Sequence, residues 1–162
     1  MELYFQKAER EDVNDISALY SAAIGTDGCT WSLDYPNVEI TKDDLERGDL
    51  FCMKTEEGEI VGAISVDDDK EVEALTCWSG QLQPARELAR LVVKESYQNQ
   101  SVARKLLSSA MKELGNRGCK AVHFLVSPGN ERALRSYAKL EFTHCGDCDL
   151  YDHHWFCYEK EL

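Results

Sequence analysis

The sequence predicts an α/β domain built around a mixed sheet, and three observations carry that prediction. Extended apolar patches alternate with stretches whose apolar residues recur every three and four positions. The second half of the chain reads strand, helix, strand, helix, followed by two more extended patches. The length, 162 residues with 43% hydrophobic side chains, suits one domain with a real core, so residues 1–162 are expected to form a single unit.

The elements follow in order. Leu3 to Lys7 reads as a strand, and Val13, Ile16, Leu19, Tyr20 and Ala23 mark an amphipathic helix that Asp12 is placed to cap. Periodicity is poor from Gly25 to Gly48, which predicts a loop and then a short helix near Thr41 to Arg47. Leu50 to Lys54 and Glu59 to Val66 read as a hairpin turning at Glu56-Glu57-Gly58. The run Asp67-Asp68-Asp69 reads as a solvated loop rather than a metal site. Glu87 to Val93 is a strand, Ser101 to Leu114 a helix stopping at Gly115 and Gly118, Ala121 to Val126 a strand, and Asn130 to Leu140 a helix. Phe142 to Cys145 and Trp155 to Glu159 are the closing extended patches.

Composition excludes whole classes of function. Thirty acidic residues against 18 basic ones give a net charge of -12, which opposes binding to phosphate backbones and favours cationic small molecules near the surface. No nucleic-acid partner is expected. No apolar run approaches the roughly 18 residues of a membrane span, and the first residues lack a signal-peptide pattern, so a cytoplasmic protein with no membrane partner is expected. There is no internal repeat or Pro-rich linker. Seven cysteines, an odd number, favour reduced thiols over a disulfide framework.

The segment from Leu91 to Leu107 runs from a strand through a polar turn into a helix of small and apolar residues. Free N–H groups and the macrodipole at such a helix start form a site for phosphate, and small side chains at Ser101 and Ala103 let a ligand approach the backbone. A plain helix start with Ser101 as its cap fits the same residues.

Gln98-Asn99-Gln100-Ser101-Val102-Ala103 resembles the Arg/Gln-x-x-Gly-x-Gly/Ala signature of the GNAT superfamily of acyl-CoA N-acyltransferases. Glu87 to Val93 resembles the fourth strand of that family. Asn130, Ala133, Tyr137 and Lys139-Leu140-Glu141-Phe142 resemble its Asn-x-x-Ala-x-x-x-Tyr-x-Lys-Leu-Gly-Phe segment. Trp31, Tyr35-Pro36 and Glu57 to Ile64 resemble the amino half of many bacterial members, and Cys157 to Lys160 their closing strand, so the likeness covers nearly the whole chain. Two residues depart from the pattern: Ser101 stands at the first signature glycine, and Glu141 at the glycine of the Leu-Gly-Phe turn.

The resemblance implies a three-layer α/β/α fold whose mixed, mostly antiparallel sheet splays between its fourth and fifth strands. The pantetheine arm of acetyl-CoA would lie in that gap and pair with the backbone of Leu91, Val92 and Val93. Gln98, Asn99, Gln100, Ser101, Val102, Ala103 and Arg104 would hold the pyrophosphate, mostly through N–H groups, with Ala133 and Tyr137 beside the cofactor. Asn130 would bond the cofactor or cap the last helix.

The implied reaction needs a neutral amine to attack a thioester, yet an alkyl amine with a pKa of about 10.4 is mostly protonated at neutral pH. A base is therefore required, and an acid to protonate the departing thiolate. Tyr137 matches the family's general-acid tyrosine; it also fits a core aromatic beside Ala133 and Leu140. Glu87 matches a position where several members carry a base working through water, and a surface glutamate competes with that reading. Trp31, Tyr35 and Trp78 are the candidate acceptor-site aromatics, able to surround a cation or simply to pack.

Cys145-Gly146-Asp147-Cys148, with His144, His153, His154 and Cys157 nearby, invites a zinc reading. Only four residues separate Cys148 from His153, shorter than the loop between ligand pairs in structural zinc sites, so no metal is expected. A thiol-redox role fails on context, because that motif usually opens a helix. The expected function is direct acetyl transfer from acetyl-CoA to a primary amine of a small molecule or protein, by a monomer or homodimer. A non-catalytic acyl-CoA-binding module is the alternative.

Overall fold

The computed structural model describes residues 2–162. The twelve elements are β1 (Leu3–Lys7), α1 (Val13–Ala23), α2 (Val38–Glu46), β2 (Leu50–Thr55), β3 (Ile60–Asp67), α3 (Lys70–Glu73), β4 (Ala85–Val93), α4 (Val102–Asn116), β5 (Ala121–Val126), α5 (Glu131–Lys139), β6 (Thr143–Leu150) and β7 (His153–Glu161). One sheet runs β1-β2-β3-β4-β5-β7-β6, antiparallel throughout except for the parallel pair β4 and β5.

The central strands read as nearly continuous apolar runs because both of their faces are buried. Leu50, Cys52 and Ala63 meet Ile16 and Tyr20 of α1 on one face. Phe51, Met53, Ile64 and Val66 meet Leu106, Ala110 and Leu114 of α4 on the other. This is the three-layer arrangement expected. At Gly62 a Cβ would lie 2.9 Å from Leu106 Cδ1 and 3.0 Å from the Val92 carbonyl, so glycine is what lets α4 press against β3.

Several boundaries differ from expectation. The short helix starts at Val38, not Thr41, because the Asn37 carboxamide accepts from the Ile40 N–H at 3.0 Å and caps it three residues earlier. Asp12 makes no side-chain cap to α1; its carboxylate accepts from the Glu9 N–H at 2.8 Å and pairs with Lys54 at 2.9 Å. Helix α4 runs through Gly115 to Asn116 and ends at Gly118, where φ is +94°. The last hairpin is longer than the patches that announced it, since Thr143–Leu150 pairs with His153–Glu161 through strands that expose alternate polar side chains. Phe142 precedes the strand and is buried against Phe124, with ring centroids 4.8 Å apart.

Candidate active site

Strands β4 and β5 pair only from Ala85 to Glu87 against Ala121 to His123. Beyond that point Leu88 to Val93 and Phe124 to Val126 diverge. Both stretches line a large cleft, together with the start of α4 and the cleft-facing residues of α5. The divergence leaves the β4 edge beyond Glu87 without a neighbouring strand, a place for an extended ligand to pair, with the Val93 carbonyl accepting from Gln98 Nε2 at 3.3 Å.

At one end of the gap the first helical bond of α4 joins the Lys105 N–H to the Ser101 carbonyl at 3.0 Å, leaving the N–H groups of Val102, Ala103 and Arg104 over. Ser101 is the N-cap residue by position, but its hydroxyl makes no capping bond and instead accepts from Arg104 Nη2 at 2.6 Å. Its φ is +66°, and that of Asn99 is +62°. The left-handed backbone explains why glycine suits the position and shows that the serine keeps the turn. Glu141 is likewise left-handed, at φ +64°. Gln98, Asn99, Ser101, Val102, Ala103 and Arg104 line the cleft, whereas Gln100 stays exposed and donates to the Ser96 carbonyl at 3.1 Å. The Asn130 carboxamide oxygen accepts from the Ala133 N–H at 3.1 Å, so of its two expected roles the cap is the one formed within the protein.

Tyr137 lies on the α5 face toward the cleft, buried against Phe124 with ring centroids 4.1 Å apart. Burial pushes its hydroxyl well above the ordinary phenol range, so it stays protonated and able to donate. Among the described residues it has no side-chain hydrogen bond that would occupy that hydroxyl.

At the vertex of the splay one row of side chains crosses four strands, with Asp67 opposite Glu87, Glu87 opposite His123, and His123 opposite Glu159. Glu87 is 8% exposed and its Oε1 has no partner. Burial, with Asp67 and Asp69 adding repulsion, raises its pKa from 4.5 to about 8. The surface-glutamate reading therefore fails on burial. Carboxylate oxygens of Asp67, Asp69 and Glu87 lie within 4.8 Å of one another, so the expected solvated loop is instead an acidic wall. Asp69 also caps α3, accepting from the Glu71 N–H at 2.9 Å. His123 is buried with both ring nitrogens unpaired, and burial lowers its pKa to about 4, leaving it neutral.

Arg90 is the residue that sequence reasoning missed. It is buried at φ +51°, in the bulge where β4 has an extra residue against β3. Its guanidinium takes Asp44 through Nη2 at 2.9 Å and Nε at 3.0 Å, and Asp67 through Nη1 at 2.9 Å. The same Nη1 donates to the Tyr35 hydroxyl at 2.9 Å, fixing that ring in the cleft wall. An arginine among the alternating residues of a half-buried strand was the available signal. Trp31 lines the cleft edge-on to Tyr20, at 5.3 Å. Trp78 does not line it: the indole N–H donates to the Val72 carbonyl at 2.7 Å and the ring stacks on His123 at 4.4 Å. Tyr151, His153 and Trp155 from the β6–β7 hairpin take that side of the cleft, and the Tyr151 hydroxyl donates to Asp69.

A family model described as Acetyltransferase (GNAT) family matches residues 16–142. No curated protein matches the chain. Among solved structures, an N-acetyltransferase from Staphylococcus aureus Mu50 superposes with a TM-score of 0.77 at 18% identity, covering 99% of each chain. A ribosomal-protein-alanine N-acetyltransferase from Brucella melitensis gives 0.78 at 18%, covering 98% of this chain and 99% of that one. A Salmonella typhimurium protein solved with its cofactor acetyl-CoA gives 0.73 at 17%, covering 100% of this chain and 95% of that one. At these identities the likeness shows the fold.

Proposed function

The chain belongs to the GNAT acetyltransferase family, and on that premise we propose that it transfers an acetyl group from acetyl-CoA to a primary amine that arrives as a cation. The observation that carries this reading is the continuous cleft between the diverging β4 and β5, with unpaired N–H groups of α4 at one end and the unpaired Glu87 carboxyl at the other.

The residues fit such a cosubstrate. The leftover N–H groups of Val102, Ala103 and Arg104 would take the pyrophosphate, which lets an acidic protein hold an anion without a basic patch. The open edge of Leu91 to Val93 would pair with the pantetheine amides. When bound, acetyl-CoA supplies an activated thioester carbonyl. Asp69 would draw an ammonium group to the vertex, since Arg90 already neutralises Asp67 and burial keeps Glu87 mostly protonated at neutral pH. The ionised Glu87 takes a proton from that ammonium, directly or through one water, and frees the nitrogen lone pair for attack. Tyr137 gives its proton to the sulfur as the C–S bond breaks and the N–C bond forms. The second proton lost by the nitrogen restores the phenol through solvent, so one proton leaves overall.

Calorimetric titration with acetyl-CoA, with CoA and ATP as comparison ligands, followed by amine-dependent release of CoA, tests the reading. One-to-one binding of acetyl-CoA, with CoA similar and ATP much weaker, then turnover on cationic amines, is expected. Absence of binding at millimolar ligand overturns it, and binding without release on any amine leaves a cofactor-binding module instead.

A further inference from the structure

The β6–β7 hairpin closes on a very short turn. Leu150 and His153 still pair, so the turn consists of Tyr151 and Asp152. Their φ values are +55° and +62°. Positive φ at both positions makes a type I′ turn, whose twist matches the flanking strands and whose favoured residues are asparagine, aspartate and glycine. Aspartate suits its place, but tyrosine, a bulky residue in the left-handed region, is strained at the first position. The neck of the hairpin is firm: the Trp155 indole N–H donates to the Leu150 carbonyl at 2.9 Å, and the His153 ring stands edge-on to that indole at 5.6 Å. A strained residue held by a firm scaffold in the wall of a cleft points to a functional reason.

The Tyr151 ring is 55% exposed and lines the cleft, while its hydroxyl donates to Asp69 Oδ2, 82 positions earlier in the chain. Asp69 Oδ1 accepts from the Glu71 N–H at 2.9 Å. Bonds from two different elements therefore hold the two oxygens, which fixes the plane of the half-buried carboxylate beside Asp67 and Glu87. Of these three, Asp67 is paired with Arg90 and Glu87 is kept mostly protonated by burial, so Asp69 carries the charge left for an incoming ammonium. Tyr35 is tied into the wall in a similar way: its hydroxyl accepts from Arg90 Nη1, the atom that also donates to Asp67 Oδ2. Asp67 and Asp69 each have a cleft-lining tyrosine in their hydrogen-bond chain.

We propose that Tyr151 is a positioning residue for the acceptor amine: its hydroxyl fixes the Asp69 carboxylate in place to receive an alkylammonium group, and the left-handed tyrosine is the strain that this contact requires. The inference rests on the reading of Asp69 as the carboxylate that draws the amine. A charge-assisted hydrogen bond weakens as it bends, so the ammonium gains most from a carboxylate already aligned. Fixing Asp69 in advance removes its ordering from the binding step. Tyr151 touches no reacting atom in this scheme, so its effect falls on acceptor binding and not on the proton transfers assigned to Glu87 and Tyr137.

The test is steady-state release of CoA by the full chain, with acetyl-CoA and a panel of primary alkylammonium acceptors that includes ethanolamine, putrescine and lysine methyl ester. Tyr151→Phe should raise the acceptor KM about fivefold, the usual worth of one hydrogen bond, and leave kcat and the KM for acetyl-CoA within about twofold. In an Asp69→Asn background the same change should move the acceptor KM by less than about twofold, because the charge that Tyr151 orients is gone. Tyr151→Asn suits the turn, so it should raise the urea midpoint of unfolding while it raises the acceptor KM. A merely structural tyrosine would not move stability and acceptor affinity in opposite directions. Tyr4→Phe, which loses a bond to Glu2 at 2.8 Å on the edge strand β1, is the control and should leave every constant unchanged. An acceptor KM unchanged in Tyr151→Phe, a fall in kcat as large as the rise in KM, additive effects with Asp69→Asn, or a Tyr151→Asn chain of lower stability overturns the proposal while the wild-type activity stands. A wild-type chain that releases no CoA to any of these amines overturns the proposed function and this inference with it.

Discussion

Replacing Glu87 by glutamine tests the proposed chemistry at its most exposed point. The carboxyl is almost wholly buried, its Oε1 is unpaired, and its pKa stands at about 8. A group with that pKa is about one-tenth ionised at pH 7 and about nine-tenths at pH 9, so a step that needs the carboxylate should rise about tenfold over that interval. Glutamine keeps the shape and cannot accept the proton. Glu87→Gln should lower kcat by about 100-fold or more at pH 9, the usual worth of a positioned base, and remove the limb near pH 8. The assay is CoA formation at saturating substrates, separated chromatographically because the protein's own cysteines react with thiol reagents. The amine contributes its own limb at higher pH in both proteins, so the comparison isolates the one borne by Glu87. Stability offers a second readout. Between about 4.5 and 8 the folded chain holds a proton that the unfolded chain has released, so stability falls as pH rises through that window. At 1.36 kcal/mol per pH unit the full cost above it is about 5 kcal/mol, and Glu87→Gln should flatten the fall. A wild-type profile flat from about pH 6 to pH 9, or one unchanged in Glu87→Gln, refutes the assignment of the base.

Further outcomes follow from the same geometry. Tyr137→Phe should cut kcat by about 100-fold while calorimetry shows acetyl-CoA binding unaltered, and unchanged turnover would remove its acid role. Ser101→Gly relieves a left-handed serine and should stabilise the chain by about 1 kcal/mol in urea unfolding without weakening acetyl-CoA binding. Arg90→Met removes the bidentate partner of buried Asp44, which still keeps Arg47 Nη2 at 2.8 Å and the Ser65 hydroxyl at 2.8 Å, and should cost about 1.5–3 kcal/mol, with part restored in the Asp44→Asn double variant. The Arg90 guanidinium holds the Asp67 carboxyl below its usual range, so this pair stabilises the fold above that range and loses its contribution as acid is added; acid unfolding of Asp67→Asn should show a shallower loss.

The layers of the fold were legible because burial on both faces writes a simple pattern. Glu59 to Val66 reads as one strand of a hairpin, and the spacing of Val102, Leu106, Ala110 and Leu114 as one helical face, and the structure has both. Reading failed where a single polar contact or a bulge sets the geometry. Asn37 starts α2 with one carboxamide bond, and the slip at Cys145 turns a strand that alternation alone would have placed the other way. The polar turn before α4 was legible from its small residues, yet the left-handed backbone that makes Ser101 and Glu141 stand-ins for glycine is a matter of φ.

Local patterns of apolar residues were enough for the order of strands and helices and for the polar turn before α4, because each signal lies within a few neighbouring residues, whereas the candidates Tyr137 and Glu87 came from the likeness to a family's motifs. Which carboxylates stay charged and which aromatics face the cleft were matters of packing between distant segments. Arg90 draws Asp44, Asp67 and Tyr35 together across 23 to 55 residues of chain, leaving Glu87 the unpaired one. Trp78 is turned against His123, and Cys77 is set over Gly146. Desolvation and pairing depend on what closes around a group, and that is known only when the chain has folded back on itself.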